Sequence, residues 1–179
     1  MKTKHKSGLT LVEMLLSLAI LGMLMATVAI AFDASVKNHQ DNQGIYRTVN
    51  TARQTLLRLT NDIRTANWVG LIGVDDPDNK QLTLEIIDKD GTLKLITYYF
   101  SPVNDSENGL EKNTLYLFGE GGSKYKLCQN ITSISFDRDV HDGTDKVRNV
   151  RIVLTVTDPD SGISQNLEAA AVVRRNLGG

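Results

Sequence analysis

From Met14 to Phe32 the chain runs nineteen residues without a charge, and the residue just ahead of that run is Glu13. Few structures accommodate such a stretch. Inside a bilayer a lone span must satisfy its own backbone hydrogen bonds, so it has to be helical. Leu9 to Phe32 as a helix is about 36 Å long, enough to cross the hydrocarbon core. A helix packed on the surface of a small soluble domain keeps a polar side, and this segment is apolar nearly all round. Ahead of it lies a short basic leader, with Lys2, Lys4, His5 and Lys6, that ends in Gly8. Its lysines hold the leader in the cytoplasm, so everything after the span lies outside. A carboxylate at the edge of such a span is costly unless it is neutral or partnered, so Glu13 marks a function.

Two other readings fit part of this segment. A secretory signal peptide would be cut after Ala31, where Ala29-Ile30-Ala31 has the small-residue pattern. Its apolar region would then be long and would contain an acid. A plain membrane anchor explains the span but gives no role to Gly8 or Glu13. Taken together, Gly8-Leu9-Thr10-Leu11-Val12-Glu13 and the apolar run resemble the class III signal of type IV pilins and type II secretion pseudopilins. The resemblance implies a prepilin peptidase that cuts between Gly8 and Leu9 and methylates the new amine of Leu9. Phenylalanine is usual at that first position, and Leu9 is a variation on it. The resemblance also implies that Glu13 pairs with the terminal amine of a neighbouring subunit, so that association relieves two charges in lipid.

Beyond Asp33 the chain becomes polar yet keeps a helical pattern. Ile45, Val49, Ala52, Leu56, Leu59, Ile63 and Ala66 recur at alternating spacings of four and three. That stripe predicts an amphipathic helix laid on a sheet, with Trp68 and Gly70 closing it. A coiled coil is the alternative for so short a heptad run. No proline precedes Pro77, so the helix continues from the membrane segment, with Gly22 and Gly44 as soft points. Many major pilins and pseudopilins carry a proline in the membrane half, and its absence here points toward a minor subunit.

The remainder reads as β. Leu82 to Ile87 and Leu93 to Phe100 flank Asp88-Lys89-Asp90-Gly91, a hairpin signal. Thr114 to Phe118 and Tyr125 to Cys128 flank a glycine-rich turn. Ile131 to Phe136 and Val147 to Val156 flank Asp142-Gly143. Ile163 to Val173 returns after Asp158-Pro159-Asp160-Ser161-Gly162. Seven strands after one long helix predict an α+β fold: a pilin-like helix, membrane-spanning then amphipathic, packed on antiparallel sheets. The expected division is a leader over 1–8, a transmembrane helix over 9–32, an amphipathic helix over 33–69 and a β-rich domain over 70–179.

Little in the chain points to catalysis. His39 and His141 have no metal-ligating neighbours at useful spacing, and no nucleophile elbow or phosphate loop occurs. The acidic stretch Asp137 to Gly143 fails the EF-hand pattern, with His141 at the fifth position and Arg148 at the twelfth. Cys128 is the single cysteine, so no intramolecular disulfide forms. A formal net charge of −1 without a basic-aromatic patch argues against nucleic acid. The reading is a non-enzymatic subunit with no cofactor, no metal and no small-molecule substrate.

Two local segments narrow the resemblance. Leu56 to Ala66, with Asp62-Ile63-Arg64, is similar to the helix end of J-type minor pseudopilins and the related W-type minor pilins. Val172-Val173-Arg174-Arg175-Asn176 is similar to their closing strand. The resemblance implies a minor pseudopilin at the tip of a type II secretion pseudopilus, in the inner membrane, with other minor and major pseudopilins as partners. A minor pilin of a type IV or competence pilus would share the chemistry at Gly8, Leu9 and Glu13. Asp62 and Arg58 also read simply as an exposed i, i+4 pair. A secreted or membrane-anchored binding module remains a different class of answer.

Overall fold

The computed structural model describes residues 10–71, 80–140 and 146–174. The chain divides into two units, Met1–Gln43 and Gly44–Gly179. One helix, α1 (Leu11–Thr65), supplies the first unit and opens the second. Among the described residues eight strands follow: β1 (Trp68–Val69), β2 (Gln81–Ile87), β3 (Leu93–Ser101), β4 (Thr114–Phe118), β5 (Lys124–Cys128), β6 (Ile131–Val140), β7 (Val147–Thr157) and β8 (Ser164–Val172). They form a five-stranded sheet, β1 to β5 in order, and a three-stranded sheet, β6-β7-β8. All pairings are antiparallel. The α+β expectation holds, and the long helix lies ahead of the sheets.

The heptad stripe forms the helical side of the core. Val49, Ala52, Leu56, Leu59, Ile63 and Ala66 are buried, and Ile45 is partly so. They pack with Leu82, Leu84, Tyr98 and Phe100 of one sheet and with Phe136, Ile152 and Leu154 of the other. Strand alternation decides these faces: Val150, Ile152, Leu154 and Val156 are buried, and the residues between them are not. Arg138 joins the sheets, its guanidinium donating to the Gln81 carbonyl oxygen on β2.

The helical segment expected over 33–69 stops earlier than the stripe implied. After Thr65 the backbone leaves the helical ladder: Asn67 N donates to Glu85 O at 2.7 Å, and Asn67 Nδ2 donates to Glu85 Oε2 at 2.6 Å. Trp68, expected with Gly70 to close the helix, instead forms a two-residue strand with Val69 on β2. An aromatic and a β-branched residue suit that pleated edge, and β2 offered an unpaired ladder to join. The expected hairpin at Asp88 is present, and Gly91 adopts φ 78°, a conformation that costs glycine nothing. The segments around Asp76-Pro77 and Asp142-Gly143 lie outside the described residues.

Gly44 is no soft point. A Cβ there would lie 3.0 Å from Asp158 Oδ1, in the turn between β7 and β8. That carboxylate is held in place: Ser161 Oγ and N donate to Oδ2 at 2.8 and 3.0 Å, and Thr48 Oγ1 donates to Oδ1 at 3.5 Å. The Ser161 hydrogen bonds hold the Asp158 carboxyl below the ordinary aspartate range. Its contribution to stability is therefore fully present above the ordinary aspartate range and is lost as pH falls from that range through the lowered folded-state value. In an open helix Gly→Ala gains about 1 kcal/mol. Here we expect Gly44→Ala to cost about 1 kcal/mol instead, because the added methyl meets an anchored carboxylate. A thermal melt of the variant that matched or exceeded the parent would refute the close approach.

Candidate functional site

Gly8 and Leu9, the expected cleavage pair, lie outside the described residues. Glu13 is placed, in the first turn of α1. The sequence explains why the helix begins there. Thr10-Leu11-Val12-Glu13 is a T-x-x-E capping box at the head of an apolar run. Thr10 N and Thr10 Oγ1 both donate to Glu13 Oε2 at 2.8 Å. Glu13 N donates back to Thr10 Oγ1 at 3.3 Å. Met14 N donates to Thr10 O at 3.2 Å, the first rung of the helix. Reading the sequence assigned Glu13 a partner on another subunit and missed this one three residues away, although the box pattern was visible.

The hydroxyls inside the apolar run are also satisfied by the helix itself. Ser17 Oγ donates to Glu13 O at 2.7 Å, and Thr27 Oγ1 donates to Leu24 O at 2.8 Å. Neither needs water, which suits a lipid environment. Every residue from Thr10 to Gln40 is exposed. The apolar surface of Leu11 to Phe32 is thus bare of the chain's own atoms. Among the described residues α1 alone is long and apolar enough to cross a membrane. A Cβ at Gly22 would meet nothing within 4 Å, so this glycine and Ala26 leave a shallow face free for another helix.

Elsewhere the polar groups are used structurally. His39 shares a hydrogen bond with Gln43, Nε2 to Nε2 at 3.0 Å. No group of three or more potential metal ligands occurs among the described residues. Of the acidic stretch, Asp137 to Val140 lie in β6, and His141 to Gly143 fall outside the described residues. Cys128 is buried, and burial pushes its thiol up to about 11, so it stays protonated at neutral pH. An open cavity of about 500 Å³ over β3 and β4 is lined by Tyr99, Phe118, Asp105 and Lys124. Its charged groups are engaged. Lys124 Nζ donates to the carbonyls of Asn108 and Gly109 at 2.8 and 2.7 Å, and Asp105 accepts from Asn108.

Asp62 is more than a solvated helix charge. It lies 3.8 Å from Arg58 Nε, and it also accepts a hydrogen bond from the hydroxyl of fully buried Tyr98. Burial, reinforced by that carboxylate, pushes the Tyr98 phenol up. The pair fixes the end of α1 to β3.

Compared with known protein families, residues 3–29 match the Prokaryotic N-terminal methylation motif. The curated proteins contain no match to this chain. The solved structures contain none either. The motif covers most of the leader and the span, and the helix-and-sheet build accounts for the rest of the described chain. The motif at the start of the chain and the long helix followed by antiparallel sheets together support a type IV pilin-like protein.

Proposed function

We propose that this chain is a J-like minor pseudopilin, a structural and non-enzymatic subunit at the tip of a type II secretion pseudopilus. It waits in the inner membrane as a single-pass protein, leader in the cytoplasm and β-rich domain in the periplasm. Prepilin peptidase cuts between Gly8 and Leu9 and methylates Leu9. Other minor and major pseudopilins are its partners. It uses no cofactor or metal, and it engages neither nucleic acid nor a small-molecule substrate. The chain's working divisions are the leader 1–8, the span 9–32, the amphipathic part of α1 and the β-rich remainder to 179.

The observation that supports the filament-subunit part of this reading is Glu13: a carboxylate in the first turn of a helix whose apolar surface its own chain leaves bare. An ordinary anchor can use such an acid as a helix cap, but has no use for its charge in lipid. In a filament, the incoming Glu13 meets a neighbour's amine, and each charge removes the other's cost in lipid.

Mass spectrometry of the mature amino terminus, on protein from its own membranes, tests the proposal. A methylated Leu9 is expected. A terminus at Phe32 would mean ordinary secretion, and an intact Met1 a simple anchor. Either result would overturn the filament reading.

A further inference from the structure

The carboxy-terminal unit leaves one strand edge open beside an unfilled groove. β8 pairs with β7 on one side, and among the described residues no strand lies on its other side. Alternate N–H and C=O groups along Ser164–Val172 therefore face outward without a ladder partner. β8 is nine residues long and contains no proline. Open edges of this kind are usually blunted by a free charge, a proline or a bulge. The one charge on β8, Glu168, is already engaged by Arg151 Nε at 2.6 Å.

The groove lies where β8 meets the helix. Leu167, Glu168 and Ala169 line it from the strand, and Arg53, Leu56, Leu57 and Thr60 line it from α1. Its volume is about 320 Å³. Leu57 is 70 % exposed, although the neighbouring stripe leucines, Leu56 and Leu59, are buried. Of the two charged residues that line it, Glu168 is paired with Arg151, and the helix side is basic. Between Gly44 and Thr65 the helix carries Arg47, Arg53, Arg58 and Arg64 against one acid, Asp62. Tyr98 and Arg58 already engage that acid. Arg53, at the groove, has no ion pair among the described residues.

We propose that β8 and this groove receive one further strand, contributed by a different pilin-like subunit and carrying apolar residues alternating with an acid. The open edge requires an extended occupant, because only a strand completes its ladder. Every second side chain of that strand then enters the groove over Leu56 and Leu57, and its carboxylate meets Arg53. The inference rests on the filament-subunit reading and names the surface by which such a subunit is chosen.

The test is hydrogen exchange on the full chain in detergent, alone and co-purified with the pilin-like subunits of its own source. In the complex, the β8 amides turned away from β7 are expected to slow by about tenfold or more. Those facing β7 act as an internal control. Leu57→Lys and Arg53→Glu are each expected to lower the recovered complex about tenfold, with processing at Leu9 and the melting of the isolated chain unchanged. A complex that forms with β8 exchange unaltered overturns the inference and leaves the filament reading intact. Protection confined to α1 means that a helix docks there, and also overturns it. A chain that keeps Met1 or starts at Phe32 fails one step earlier and removes the filament reading itself.

Discussion

Glu13→Gln is expected to abolish entry into the filament while leaving the start of α1 and the cut at Leu9 in place. Glutamine at this position still accepts from Thr10 N and Oγ1, so the capping box survives. The charge that the proposed pairing with a neighbour's amine requires is gone. Breaking a desolvated pair by removing one partner costs about 3–5 kcal/mol, which is a loss of roughly a hundredfold or more in assembled subunit. Glu13→Ala removes the charge and the cap together, adding about 1 kcal/mol of helix-start destabilisation. Co-purification of each variant with the other subunits, alongside mass spectrometry of the terminus, separates the two roles. Equal incorporation of Glu13→Gln and the parent, with only Glu13→Ala defective, would reduce Glu13 to a helix cap.

Leu59→Ala is expected to destabilise the carboxy-terminal unit by about 2–5 kcal/mol, because Leu59 is fully buried in the shared core. Domains of this size are stable by only about 5–15 kcal/mol, so this one change removes a large part of the margin. Leu57→Ala, two residues earlier on the exposed side, should stay within about 0.5 kcal/mol. Trp68 is the single tryptophan and sits just past the helix end, so its fluorescence during denaturant unfolding of the full chain reads the junction directly. Equal shifts for the two leucines would contradict the packing of α1 on the sheets. The contrast also isolates the role assigned to Leu57: nearly silent in folding, it should be felt only when a partner is present.

The elements most legible in the sequence were those with a strong period. The four-three stripe from Ile45 to Ala66 named the buried side of α1, and the two-residue alternation of β7 named its inner face. The segment after Thr65 was not legible. Asn67, Trp68 and Val69 leave the helix because β2 presents an unpaired ladder, and a contact so distant in the chain has no local signature. Gly44 was misread for the same reason. Within the helix it looks like a weakness, and only the Asp158 turn, more than a hundred residues later, shows why nothing larger fits. At the candidate site, Glu13 stood out by its cost in lipid, and that cost drew attention away from Thr10. The T-x-x-E pattern was present, but a partner for the acid was sought outside the chain. The value of Leu57 was hidden too, since a single exposed leucine is ordinary until an open strand edge lies beside it.

The Thr10–Glu13 box has a consequence for timing. The proposed scissile bond, between Gly8 and Leu9, lies ahead of Thr10, the residue on which the first turn closes. Cutting there takes away a charged leader and leaves every hydrogen bond of that turn untouched. Precursor and product then share one helix register, and no rewinding separates them. On the proposed reading, the trigger for assembly is then a change of terminus, made with the first turn of α1 already closed.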